Sequence, residues 1–202
     1  MDEYNLQEEI DKYLESKVRP EKERDYFYVS ELGKSKKEIY KSFKNKSENK
    51  MDGKTHRILD NGNFVHSRFM KLFAEMGILV CAEIDAVSND LIHGRLDCII
   101  TDKKQNYIVE IKSCSQWTFQ KLTAPSMAHL LQIQFYMYYT NINKGIILYE
   151  CKDNQSIKTF YIDLNKELVE KYIEELKKLK ENIIKDIEPN DEPVLLEDLQ
   201  YG

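Results

Sequence analysis

The stretch from His93 to Cys114, HGRLDCIITDKKQNYIVEIKSC, limits what this chain can fold into. Two apolar, β-prone runs, Leu96 to Thr101 and Tyr107 to Ile111, flank the polar turn TDKKQN, which is the pattern of a β-hairpin. Three ionisable groups interrupt it: Asp97, Glu110 and Lys112. Side chains alternate along a strand, so Glu110 and Lys112 share one face, and a hairpin can set Asp97 beside Glu110. Neighbouring carboxylates repel unless a cation sits between them. Hard oxygen donors of this kind suit magnesium or manganese. Lys112 then lies one strand step away, where it can meet a charged substrate or an attacking water. An E-x-K pair alone is most often a solvated ion pair; Asp97 inside Leu-Asp-Cys-Ile-Ile sets this one apart.

Around the hairpin the hydrophobic spacing predicts alternating elements. A helix spans Asn5 to Val18, with Leu6, Ile10, Tyr13 and Leu14 as its apolar stripe. A charged linker containing Pro20 and a short β-like run at Tyr26 to Val29 follow. Ser30 is placed to cap a helix from Glu31 to about Phe43. Lys44 to Lys54 has almost no apolar residue and reads as a mobile loop. A helix from about Asn61 to Glu75, with Phe64, Val65, Phe69, Leu72 and Phe73 facing the core, ends at Gly77. Ile78 to Ala86 is a strand, and the hairpin follows. Trp117 falls in a loop, and a helix starts near Pro125 and runs to about Thr140. Two strands, Gly145 to Cys151 and Ile157 to Asp163, lead into a long helix from Leu164 to Ile187, with residues 190–202 frayed. The helix between the third and fourth strands is long enough for a crossover, so those strands can be parallel. The expected fold is α/β, a mixed five-stranded sheet flanked by helices.

At 202 residues one domain with a full core is expected. No apolar run is long enough to span a membrane, and MDEYNLQEEI carries no secretory or transit pattern. Cys81, Cys98, Cys114 and Cys151 form no C-x-x-C pair, so reduced thiols in a cytosolic protein are expected. The net charge of −5 is unevenly spread. Lys34 to Arg57 carries +6, and Asp163 to Asp198 carries −6. That asymmetry suits a protein presenting one basic face to a polyanion, and it equally suits two solvated helix faces.

With these elements in order, four short patterns become visible: GNFVH over Gly62 to His66, GRLD over Gly94 to Asp97, EIK over Glu110 to Lys112, and QIQFY over Gln132 to Tyr136. Together they resemble the PD-(D/E)XK nuclease superfamily, and more narrowly its RecB-like branch of phage and CRISPR-associated exonucleases. The resemblance covers about residues 26–165. It implies a restriction-endonuclease-like core over 61–165, preceded by a basic, DNA-facing helical segment over 1–60 and followed by a closing helix and tail over 166–202. It implies that Asp97 and Glu110 hold one or two Mg2+ or Mn2+ ions, with His66 and the carbonyl of Ile111 completing the shell. Lys112 then organises the attacking water, and Gln132 and Tyr136 orient Lys112 or a phosphate. A second overlapping match begins at Gln134; Gln132 and Tyr136 are preferred because His129 shares their helix face. Alone, His66 would be read as a core histidine. Many relatives hold an iron–sulfur cluster, but the cysteines that would bind it have no counterpart near Lys34 and Ser35 or after Pro189, so no cluster is expected.

The expected activity is metal-dependent hydrolysis of DNA, as an exonuclease on single-stranded or end-opened substrates in replication, recombination or repair. Arg95, Lys34, Lys36 and Lys37 are candidates for phosphate contacts, and Trp117 for stacking on an unpaired base. Replication or recombination proteins are the expected partners, in the cytoplasm of a bacterium or a phage-infected host. Two alternatives share the same motifs: a non-catalytic DNA-binding adaptor on a nuclease fold, and an RNA endonuclease with the same metal chemistry.

Overall fold

A computed structural model describes residues 4–17, 24–44 and 51–194. The elements in order are α1 (Leu6–Glu15), β1 (Phe27–Tyr28), a 3-10 turn (Val29–Glu31), α2 (Lys36–Lys44), α3 (Gly53–Glu75), β2 (Leu79–Ser88), β3 (Ile92–Thr101) and β4 (Asn106–Cys114). They continue as α4 (Gln116–Lys121), α5 (Met127–Thr140), β5 (Lys144–Cys151), β6 (Ile157–Asp163) and α6 (Lys166–Ile184).

The sheet is mixed and α/β, as expected, with the two-residue β1 added to the five anticipated strands. β2, β3 and β4 form an antiparallel meander. α5 carries the chain across to β5, which lies parallel to β4, and β6 returns antiparallel. One face is covered by α5 and α6, where Ile133, Phe135, Met137, Tyr172 and Leu176 bury against Ile108 and Ile147. The other is covered by α3, whose Val65, Phe69 and Phe73 pack on Val109, Ile111, Ile146 and Leu148.

β3 has an interrupted edge. On one side it pairs with β2. On the other, β1 pairs with it at Ile92 and His93, and β4 pairs with it from Cys98 onward. Residues 94 to 97 lie in the gap between β1 and β4. The alternation also breaks there. Leu96 buries in the α5 core, whereas Cys98, two residues on, buries under α3. Glu83, opposite Asp97 by register, has φ 51, which is unusual for a residue with a side chain.

Several boundaries differ from the sequence reading. Ser30 lies in the 3-10 turn and caps nothing; Ser35 instead exchanges hydrogen bonds with Glu38, a capping box that starts α2. α3 starts well before Asn61, because the Asp52 side chain accepts from the Thr55 amide; of the expected loop, residues 51–54 are therefore a helix start and 45–50 lie outside the described residues. Phe64 is 74% exposed and Leu72 is exposed, so the buried stripe of α3 is Val65, Phe69 and Phe73. In α1 only Leu14 is buried. Trp117 stands on the short helix α4, with Ser115 as its cap. Of the tail expected to fray, residues 190–194 are docked: Ser35 bridges Pro193, and Val194 is buried. Residues 18–23, including Pro20, and 195–202 lie outside the described residues. All four cysteines are free, Cys98 and Cys151 being buried. Among the described residues no helix is long and apolar enough to cross a membrane.

Candidate active site

A gap in a sheet leaves backbone groups without partners, and buried backbone groups need them. Here side chains fill that role. The amide of Ile111, on the edge of β4 that β3 has left, donates to Asp97 Oδ2 at 2.7 Å. The carbonyl of Arg95 accepts from the Tyr136 hydroxyl at 2.9 Å. Asp97 and Tyr136 thus brace the two sides of the gap.

From Tyr136 a chain of bonds runs to the hairpin carboxylate. Gln132 Nε2 donates to the Tyr136 hydroxyl at 3.2 Å. Lys112 Nζ donates to Gln132 Oε1 at 3.1 Å and to Glu110 Oε1 at 2.7 Å. Glu110 is 1% exposed, and its Oε2 is the buried side-chain atom without a partner among the described residues. Burial, reinforced by the nearby Asp97 carboxylate, pushes the Glu110 carboxyl up to about 7. The Lys112 ammonium acts in the opposite sense without outweighing burial and Asp97.

His66 projects from α3, and its Nδ1 lies 3.3 Å from Asp97 Oδ1. The contact with Asp97 raises its pKa above the ordinary histidine value, against the effect of burial. His129, expected on the face of Gln132 and Tyr136, turns its Nδ1 to the Tyr149 hydroxyl at 2.6 Å. Burial, then the neighbouring Lys112 charge, lowers its pKa to about 4, so the ring is neutral.

The two glutamines of α5 separate cleanly. Gln134 donates to the Asp163 carbonyl and accepts from the Asn165 amide, both at 2.8 Å, and so joins α5 to the start of α6. Gln132, not Gln134, reaches the site.

An unpartnered, buried carboxylate oxygen is costly, and a hard cation would satisfy it. Glu110 Oε2 and the Asp97 carboxylate fit such an ion. Among the described residues no group of three His, Cys, Asp or Glu side chains is arranged to hold a metal. The candidate oxygens are paired with one another's neighbours. Asp97 gives one oxygen to Ile111 and turns the other to His66, while Glu110 gives one to Lys112.

The other candidates are dispersed. Arg95 is exposed on β3 beside Asp97. Trp117 is 68% exposed, with the Lys121 ammonium 3.6 Å from its ring centroid. The basic face expected around α2 is not free. Lys34 pairs with Glu31, Lys36 with Glu175, Lys37 with Glu188 and Lys44 with Asp186, so part of the positive segment neutralises the acidic C-terminal one. Two groups escaped the sequence reading. Tyr149, which orients His129, is opposite Lys112 only through the parallel β4–β5 register. Glu150, 2% exposed on the same strand, is paired with Arg68 of α3; a carboxylate within GIILYEC was the available signal.

A family model described as the PD-(D/E)XK nuclease superfamily matches residues 60–151, the span that contains His66, Asp97, Glu110, Lys112, Gln132 and Tyr136. No curated protein sequence matches the chain. Among solved structures, the protein SSO0001 is similar over 90% of this chain and 86% of its own, at 20% identity and a TM-score of 0.59. An alkaline exonuclease from Laribacter hongkongensis, LHK-Exo, is similar over 90% of this chain and 92% of its own, at 15% identity and a TM-score of 0.51. The same exonuclease in complex with dAMP gives 13% identity and a TM-score of 0.50, over 88% of this chain and 92% of that one. At such identities the likeness is one of fold: a mixed sheet flanked by helices, restriction-endonuclease-like.

Proposed function

We propose that this chain, a member of the PD-(D/E)XK nuclease superfamily through its residues 60–151, is a divalent-metal-dependent deoxyribonuclease that degrades DNA from ends or single-stranded regions. The observation that carries this reading is the bonded chain Glu110–Lys112–Gln132–Tyr136 beside Asp97, ending in the buried, unpartnered Glu110 Oε2. A purely structural ion pair has no need of an orphaned oxygen, which costs about 1–3 kcal/mol. The alkaline exonuclease fold and its complex with dAMP favour DNA and terminal attack.

In this reading Asp97 and Glu110 hold Mg2+ or Mn2+, with His66 and the Ile111 carbonyl as further donors. When bound there, the ion would supply Lewis-acid stabilisation of the scissile phosphate and lower the pKa of a water. Lys112, held by Glu110 and Gln132, would orient the attacking water and offset the charge that develops on the phosphoryl oxygens. Gln132 fixes the Lys112 ammonium through its amide oxygen, and Tyr136 fixes Gln132 while holding β3. Neutral His129 leaves Lys112 without a competing cation. Residues 61–165 form the catalytic core, with 1–60 and 166–202 as flanking segments. Arg95 and Trp117 contact the strand, in a cytoplasmic setting alongside replication or recombination proteins.

The test is incubation of the full chain with end-labelled single- and double-stranded DNA, and with RNA of the same sequence, in Mg2+, Mn2+ or EDTA. Metal-dependent release of short DNA products is expected. Binding without cleavage in any metal would instead make the chain an adaptor, and cleavage confined to RNA would make it a ribonuclease.

A further inference from the structure

The far rim of the sheet gap carries an aromatic cluster that the site described above does not use. Tyr26 and His93 stack with ring centroids 3.6 Å apart and planes 9° from parallel. Tyr28 meets Tyr26 edge-on at 5.4 Å, and the two hydroxyls lie 3.4 Å apart. Tyr28 and His93 are direct cross-strand partners of β1 and β3. Their neighbours in the ladder, Phe27 and Ile92, point the other way and are fully buried. Tyr26, Tyr28 and His93 therefore stand on the opposite face of the sheet, where Tyr28 is 39% exposed and the other two are half-buried.

Alternation along β3 puts exposed Arg95 on the same face as His93, and Asp97, where that alternation breaks, follows two residues on with its carboxylate toward His66 of α3. One strand thus presents, in order, an aromatic stack, a cation and the candidate catalytic carboxylate. His93 and Asp97 are four residues apart, about 13 Å at the rise of a strand. At about 3.4 Å per stacked nucleotide, that is a reach of up to about four nucleotides.

We propose that Tyr26 and His93, braced edge-on by Tyr28, whose own ring carries the Arg24 guanidinium at 4.5 Å, form a base-stacking platform for the unpaired part of a nucleic-acid strand whose backbone passes Arg95 on its way to Asp97. The occupant is a single strand, because a base must be free of its duplex to extend a side-chain stack, and because flat rings take any base. The adjacent guanidinium of Arg95 complements its backbone charge. Packing alone does not account for the arrangement: rings recruited only to fill the core would lie beside Phe27 and Ile92, and these lie on the other face. The inference rests on the nuclease reading for its substrate class, yet it is testable by binding alone.

The experiment is fluorescence anisotropy of a fluorescein-labelled oligothymidylate with the full-length protein in EDTA, across a series of salt concentrations. Wild type is compared with His93→Ala, His93→Phe, Tyr26→Ala and Arg95→Ala, each checked by melting temperature. Loss of a stacking ring is expected to weaken binding about tenfold or more. The dependence on salt should be unchanged, and His93→Phe should retain the affinity. Arg95→Ala should instead flatten the salt dependence. If folded His93→Ala and Tyr26→Ala bind as wild type does, or if wild type does not bind the oligonucleotide, the platform is refuted. A flattened salt slope in His93→Ala would also overturn it, since the contact would then be to phosphate. Binding with the expected pattern but no cleavage in any metal would leave the platform standing and remove the nuclease reading.

Discussion

Ile111 donates its backbone amide to the carboxylate of Asp97 at 2.7 Å, in the space where β3 has parted from β4. The same carboxylate is a candidate metal ligand, so it has both a structural and a chemical task. Asp97→Ala should therefore abolish cleavage and also destabilise the protein, by about 1–3 kcal/mol for the amide left without an acceptor. From repulsion between neighbouring carboxylates alone, the variant would be expected to hold or gain stability. Asp97→Asn keeps an acceptor for Ile111 and should remain close to wild type in urea denaturation while losing turnover. Magnesium-dependent cleavage by Asp97→Ala at wild-type rate would remove Asp97 from the site.

Glu110 predicts the sign of a pH effect in the metal-free protein. Burial and the Asp97 charge raise its folded-state pKa to about 7, above the ordinary value of 4.5. Between those values the folded state holds a proton that the unfolded state has released, so this contribution to stability is present at low pH and is lost as pH rises to about 7. Glu110→Gln should flatten that part of the profile in EDTA and be more stable than wild type at neutral pH, although it should not cleave. Urea midpoints from pH 4.5 to 8 for the two proteins would decide it. Parallel profiles would mean that Glu110 does not carry the shift.

His66→Ala should weaken metal binding more than it weakens the fold. Its ring touches Asp97 from α3 and is only partly buried. A tenfold loss of affinity corresponds to about 1.4 kcal/mol less stabilisation by saturating metal. Melting temperatures with and without manganese give the answer. An equal gain for variant and wild type would leave His66 as a packing residue only.

Lys112→Arg should keep most DNA affinity and lose turnover by about a hundredfold, on the order of 3 kcal/mol of transition-state stabilisation. The planar guanidinium cannot reproduce a compact ammonium held between Glu110 Oε1 and Gln132 Oε1. Cleavage rate and affinity, measured at one salt concentration, separate this from a simple charge contact. A Lys112→Arg enzyme that cuts as fast as wild type would contradict the role.

Gln132→Ala and Gln134→Ala, two residues apart, should fail in opposite ways. The first loses the support of Lys112 and should lower turnover with little change in melting temperature. The second loses two bonds at the α5–α6 junction and should cost about 1–3 kcal/mol, with turnover per folded molecule retained. Matching effects in the two variants would remove the distinction between them.

Much of this arrangement was legible in the chain. Two apolar runs on either side of a polar turn gave the hairpin, and a helix of sufficient length between two strands gave the parallel β4–β5 pairing. The period of two placed Glu110 and Lys112 on one face, and the period of 3.6 placed Gln132 and Tyr136 together. What stayed hidden depends on contacts between distant segments. No local pattern shows that β3 leaves β4 at Asp97, that Tyr149 meets His129, or that lysines of α2 pair with acids of the C-terminal segment. Exposed apolar residues misled as well: Phe64 and Leu72 fit the helical period as well as Phe69 does, yet only tertiary packing decides which of them is covered.

The junction at Gln134 has a mechanical consequence. It ties α5 to Asn165, the residue that caps α6, while Gln132, on the same turn, bonds Lys112. The closing helix and the Lys112 ammonium are thus bonded to the same turn of α5. In the proposed site, a displacement of α6 would have a route to Lys112 through Gln134 and Gln132, two residues apart on α5.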